Sequence, residues 1–183
     1  MAQQERPPRG RGFTLLEVLA VVAVLGILGA IGWRYFSTDR TRATALVTRA
    51  NETAKGLVQF KQDVSCYPVT LQALYDRAQA QSTRCGLDGR AAWREPYIPR
   101  VTFTAGGNVS LADLVPGAEM ALAVVAAGAG QQWVLRVTGV PNEVLGRVAE
   151  TCNGGATLAG RCTVSIGSGG ALGQFDLLFD ETT

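Results

Sequence analysis

The apolar positions of this chain fall into three successive patterns. Residues 1–12 have no apolar periodicity; they are polar, with Pro7, Pro8 and three arginines. The character changes abruptly at Phe13. Between residues 13 and 33 the only charged side chain is Glu17. About twenty apolar residues are enough to cross a bilayer as a helix, and the arginines ahead of them predict a cytoplasmic N-terminus. A secretory signal would have a shorter apolar stretch that ends in small residues at a cleavage site. Here the run flows instead into a second pattern. Ala43, Leu46, Val47, Ala50, Ala54, Leu57 and Val58 recur at three- and four-residue steps among Arg42, Arg49, Glu52 and Lys55. The spacing predicts one helix over residues 13–63, roughly 75 Å long at 1.5 Å per residue. Its first half (13–33) would sit in lipid, and its second half would lay an apolar stripe on a soluble domain. Gly26, Gly29 and Gly32 interrupt the membrane half. Glycine is common in such helices, and small residues there also let neighbouring helices approach closely.

The third pattern, over residues 64–183, is that of a small α+β domain. Cys66-Tyr67-Pro68 closes the long helix, because proline disfavours helical geometry in the residue before it. Residues 69–81 read as a short helix with Leu71, Leu74 and Tyr75 on one side, and residues 84–99 as a loop rich in Gly, Pro and charge. Strands are expected at 101–104, 120–127, 132–138, 162–166 and 174–179, with Gly128-Ala129-Gly130 as a hairpin turn. Between Pro141 and Cys152 a helical face forms from Val144, Leu145, Val148 and Cys152, with Pro141 suited to the first turn and Gly154-Gly155 as the stop.

Composition sharpens this picture in two ways. The 183 residues contain no His, which removes the commonest neutral-pH acid–base group and metal ligand. An enzyme anchored to a membrane is therefore poorly supported, and neither a nucleophile elbow nor a phosphate loop is present. The glycine-rich stretch 167–173 has no Walker lysine and opens no helix. Arg6, Arg9 and Arg11 against Glu5 account for the formal net charge of +2. The remainder is balanced and offers no broad basic field for nucleic acid, so DNA binding gains no support. No metal or other cofactor is expected.

Cys66, Cys85, Cys152 and Cys162 show no metal-ligand spacing. Downstream of an export-type segment, an even count reads as two disulfides in an oxidising compartment, with buried free thiols as the other reading. Four cysteines allow three pairings. Cys66–Cys85 with Cys152–Cys162 is favoured because each is local, and loops of that size stabilise by roughly 3 kcal/mol in the chain-entropy model. Asn51-Glu52-Thr53 and Asn108-Val109-Ser110 fit the glycosylation acceptor triplet, a pattern short enough to arise by chance.

At the junction of the first two patterns the chain reads Arg9-Gly10-Arg11-Gly12-Phe13-Thr14-Leu15-Leu16-Glu17-Val18. This resembles the class III signal of type IV pilins and type II secretion pseudopilins: a short basic leader ending in Gly, then Phe, then Glu at the fifth mature position, then an apolar run. The resemblance implies cleavage between Gly12 and Phe13 by a prepilin peptidase, N-methylation of Phe13, and a pilin-like α+β fold. In that fold the long helix packs on an antiparallel sheet of about four or five strands. It divides the chain into a leader (1–12), a long helix (13–63) and a globular head (64–183). It implies a structural subunit, not an enzyme, whose partners are the membrane, an inner-membrane assembly platform and identical or related subunits. The protein would start as a single-pass inner-membrane precursor and end in an extracellular pilus or a periplasmic pseudopilus. Glu17 would pair with the new amino group of a neighbouring Phe13, cancelling charge in the filament core. The disulfide near the C-terminus would frame an exposed region at about 152–162. Many family members carry a proline near the position of Gly32 to Arg34, and this chain has none there.

Overall fold

A computed structural model describes residues 15–35, 38–127 and 130–182. The chain divides into two units, Met1–Ser37 and Thr38–Thr183. In the first lies helix α1, Leu15–Tyr35. The second begins with helix α2, Thr38–Val64, 27 residues and therefore about 40 Å long. The single helix expected over 13–63 is thus represented by two described helices, with residues 36–37 outside the described set. The expected stripe is buried at Ala43, Leu46, Val47, Ala50, Ala54 and Leu57, and extends to Phe60 and Val64. Val58 is only half-buried. The helix stops before the proline is reached. Ser65 takes a left-handed conformation (φ 64°) and its N–H donates to the Lys61 carbonyl, satisfying a last-turn acceptor.

The rest of this unit is one antiparallel sheet with a helix inserted in it. The strands are β1 (Val109–Ser110), β2 (Glu119–Ala127), β3 (Gly130–Val140), β4 (Cys162–Ser165) and β5 (Gly173–Thr182). Their order in space is β1-β2-β3-β5-β4. Helix α3, Asn142–Asn153, follows β3; it packs against α2 and against β4 and β5. Pro141 occupies its N-cap and Gly154, at φ 73°, its C-cap. The protein is α+β, with three helices of α type and a five-stranded sheet among the described residues.

Register explains the core. Met120, Val137 and Phe175 lie side by side across β2, β3 and β5, as do Leu122, Leu135 and Leu177. All six are buried and form one cluster with the α2 stripe. Each large apolar side chain fully removed from water contributes about 1.5–3 kcal/mol. The neighbouring positions point to the other face, where Arg136 holds Asp176 through two hydrogen bonds of 2.8 and 2.9 Å. Gly56 lets the loop come close: a Cβ there would meet the Tyr97 carbonyl oxygen at 2.7 Å.

Two expectations fail for a common reason, tertiary contact. Residues 69–81 form two 3-10 turns, Leu71–Leu74 and Arg77–Gln81, and no α-helix. The Gln72 N–H bonds to Gly107, the Leu74 carbonyl accepts from Tyr97, and the Asp76 carboxylate restarts the chain by accepting from Ala78. Residues 101–104 are no strand; Phe103 makes only an isolated bridge to Val109, and the strand is Val109–Ser110. β2 and β3 do pair as a hairpin, Ala127 opposite Gly130. Of the expected turn, residues 128–129 lie outside the described set.

The end of β5 is tied to α2 by a polar knot. The Asp180 carboxylate accepts from Lys61 and, at 2.6 Å, from the Tyr67 hydroxyl; Tyr67 also packs on Trp133 and Phe179, with Lys61 over its ring. Burial pushes the Asp180 carboxyl up, but the bonds from Lys61 and Tyr67 outweigh it and hold it below the ordinary value. Burial, then the bond to Asp180, push the Tyr67 phenol well up. The Asp180 contribution is therefore present above about pH 4 and lost as pH falls through the lowered value. That of Tyr67 is full below about pH 10 and lost above it. In urea titrations of the detergent-solubilised chain, stability should be flat between about pH 5 and 9 and fall on both sides. Asp180→Asn should cost about 1–2 kcal/mol on that plateau, since solvent screens part of the pair, and should shallow the acid limb. An acid limb unchanged by the substitution would refute this role.

Candidate assembly site

Helix α1 carries the segment that the sequence singles out. Its described side chains are Leu15 and residues 17–27, and all are exposed. Among its large apolar side chains Leu15 is the most open, at 80%, while Val18, Leu19, Val21, Val22, Val24, Leu25 and Ile27 lie between 52% and 62%. At 100° per residue these positions surround the helix. An all-round apolar helix is a stable state only in hydrocarbon or in a packed core. α2 has one apolar stripe and meets its needs inside its own unit; α1 has no polar face to turn to water.

Glu17 sits in the first turn of α1, exposed, and it is the only charge between residues 13 and 33. A carboxylate in that first turn faces the positive end of the helix dipole. Gly26 opens a notch in the same surface, because a Cβ there would meet nothing within 4 Å. Nothing in the described chain requires its small size, whereas a neighbouring helix could approach closely at that point. Gly12 and Phe13 lie outside the described residues, while Gly29 and Gly32 fall within α1. Among the described residues no helix is long and apolar enough to cross a membrane. The span expected over 13–33 extends beyond the described side chains at both ends.

The comparison with known families falls on this same stretch. Residues 8–33 match the model of the prokaryotic N-terminal methylation motif. The chain carries the class III signal of type IV pilins and pseudopilins. No curated protein and no solved structure matches the chain. The matched stretch contains Gly12, Phe13 and Glu17 together.

On the head, Cys66 joins Cys85 and Cys152 joins Cys162. Cys66 is buried directly after α2, while Cys85 is exposed in the long loop. Cys152 lies near the end of α3, and Cys162 opens β4, buried. The segment between the second pair, 156–161, is exposed, with Leu158 at 44%. It is held from inside by Asn153, which the sequence did not point to. The Asn153 amide donates to the carbonyls of Thr157 and Cys162, and its oxygen accepts from the Cys162 N–H, each at 2.9 Å.

Asn142 grips Gly167 in the same two-way manner, at 2.9 and 3.0 Å. The glycine-rich 167–173 stretch is thereby fixed as a connection from β4 to β5, with only a 3-10 turn inside it. It opens no helix and so lacks the geometry of a phosphate loop. Neither glycosylation triplet presents a free acceptor. Asn51 lies within α2 and bonds to Val47 and Arg161, and Asn108 bonds to Glu119. Asn153→Ala should destabilise the head by about 1–3 kcal/mol with both disulfides intact. Protease sensitivity should rise within 154–161 before it rises elsewhere, and peptide mapping of early cuts would show whether it does.

Proposed function

We propose that the chain is a structural subunit, major or minor, of a type IV pilus, made as a single-pass inner-membrane precursor. The observation that carries this reading is the methylation motif at residues 8–33 continuing into a helix whose described side chains are apolar on every side except at Glu17. A prepilin peptidase would cut between Gly12 and Phe13 and the new Phe13 amine would be methylated. α1 would then leave lipid for a bundle of identical helices, one apolar environment exchanged for another. The globular head, 64–183, would ride outside on α2, in the extracellular filament. A pseudopilin of a type II secretion system would use the same steps and remain in the periplasm.

Glu17 gives the transfer its direction. A charged carboxylate near the end of an apolar helix is costly in hydrocarbon, on the order of 2.5–3.5 kcal/mol for a charge at the helix centre. Pairing it with the Phe13 amine of an adjacent subunit would offset that cost and set the axial register of one helix against the next. The assembly platform supplies the lift, and the ion pair supplies the stop.

Glu17→Ala should leave cleavage and membrane insertion intact and reduce surface filaments at least tenfold, counted by electron microscopy of sheared material. Wild-type filament yield from that variant would sink the assembly role. Gly12→Leu should instead leave the precursor uncut, about twelve residues heavier by mass spectrometry, with Met1 or Ala2 at its N-terminus and no methylated Phe13. A processed, methylated Phe13 in that variant would refute the cleavage site. If wild-type chain is processed but found only in a periplasmic fraction, the pseudopilin reading replaces the pilus.

A further inference from the structure

Asn153 clamps the loop that follows α3, and its own side chain is reactive. Of the four asparagines in the chain, only Asn153 precedes a glycine. The backbone nitrogen that follows an asparagine can attack its carboxamide carbon, and glycine has no side chain to obstruct that approach. Gly154 is exposed, with nothing within 4 Å of where a Cβ would stand, so water reaches the pair. In the folded head both reacting groups are tied down. The Gly154 nitrogen must lose its proton to attack, and that N–H donates to the Glu150 carbonyl at 3.1 Å. The carboxamide is held by the loop. Its nitrogen donates to the Thr157 and Cys162 carbonyls and its oxygen accepts from the Cys162 N–H. The bridge from Cys152 to Cys162 closes the same loop. Reaction therefore needs the loop to open first, as exchange of a protected amide proton does.

We propose that Asn153–Gly154 is a latent self-modification site, silent while the clamp is closed and consumed once when the 154–161 loop opens. The Gly154 nitrogen bonds to Asn153 Cγ, the Cγ–Nδ2 bond breaks, and ammonia leaves with the proton that Gly154 gives up. Water then opens the resulting ring at either carbonyl, leaving aspartate or isoaspartate. Nothing is oxidised or reduced, and water is the only co-reactant. The product decides the consequence. An ionised carboxylate only accepts hydrogen bonds. It has no N–H for the two carbonyls that the amide served, and it sets a negative charge beside them. The clamp cannot re-form, so an opening that was reversible becomes permanent. This site lies in the head and goes beyond the filament reading, in which α1 supplies the contacts.

Gly160→Ala tests the clamp without touching the reacting pair, because a Cβ at 160 would stand 2.8 Å from Asn153 Oδ1 and push the carboxamide off its partners. The detergent-solubilised full chain is aged in mildly alkaline buffer, and conversion at 153 is followed by peptide-mapping mass spectrometry that resolves isoaspartate. Chain reduced and unfolded in urea gives the unguarded rate. Folded wild type should convert at least about tenfold more slowly than that reference. Gly160→Ala should recover most of the difference, while Asn108 and Asn142, which precede Val109 and Glu143, stay slow. The double variant Cys152→Ser, Cys162→Ser frees the loop by another route and should do the same. Converted wild-type chains, separated by their added charge, should be cut within 154–161 under native conditions where unconverted chains are not. Folded wild type converting at the urea rate would overturn the proposal. So would both variants converting no faster than wild type, or converted chains that resist protease as well as unconverted ones.

Discussion

The head depends on how closely α2 lies against what covers it. Its apolar stripe joins one core cluster with Met120, Leu122, Leu135, Val137, Phe175 and Leu177 on the sheet, with Val144, Leu145 and Val148 on α3, and with Leu71, Leu74 and Ile98 from the loops. Gly56 marks where the approach is tightest, with Ile98 and the Tyr97 carbonyl pressed to the helix backbone. The long loop is shaped by that contact. Tyr97 lies edge-on to Phe60 and Trp93, its hydroxyl donates to Asp63, and Trp93 donates to the Ala73 carbonyl. Loops of this length keep a fixed path only when such anchors repay their ordering entropy.

The two long helices illustrate opposite solutions to one problem. α2 hides a stripe and keeps Arg40, Lys55 and other polar residues in water. α1 has no such division, so its sequence demands either lipid or other helices. A single carboxylate in its first turn then has a large effect, because the surroundings offer little else that is polar. The same side chain on α2 would be one charge among many.

Much of this was legible in the sequence, and the reason is range. The apolar run of 13–33, the stripe from Ala43 to Leu57, and the α3 face of Val144, Leu145 and Val148 are periodic patterns that nearest neighbours define. The β2–β3 hairpin is local too. Gly12, Phe13 and Glu17 were legible as a motif for the same reason, since they lie within six residues. What stayed hidden depends on distant partners. Asp180 meets Tyr67 across 113 residues of chain and Lys61 across 119. Residues 69–81 pattern like a helix, yet the bond that Gln72 donates to the Gly107 carbonyl and the one that Leu74 accepts from Tyr97 hold it as two turns. Asn153 stood in no pattern of the sequence; only the return of the chain to Cys162 gives its amide something to hold.

The disulfides acquire a second meaning when the head is considered as a mechanical element. A protein pulled from one end lengthens by paying out chain, and each residue released adds up to about 3.3–3.6 Å. The bridge from Cys66 to Cys85 spans 19 residues and the bridge from Cys152 to Cys162 spans 10. Those residues stay out of the load path even when everything around them has come undone. Roughly 60 Å of slack is withheld by the first bridge and about 30 Å by the second. The covalent links set a limit on how far the head can stretch, where the apolar core sets only how hard it must be pulled.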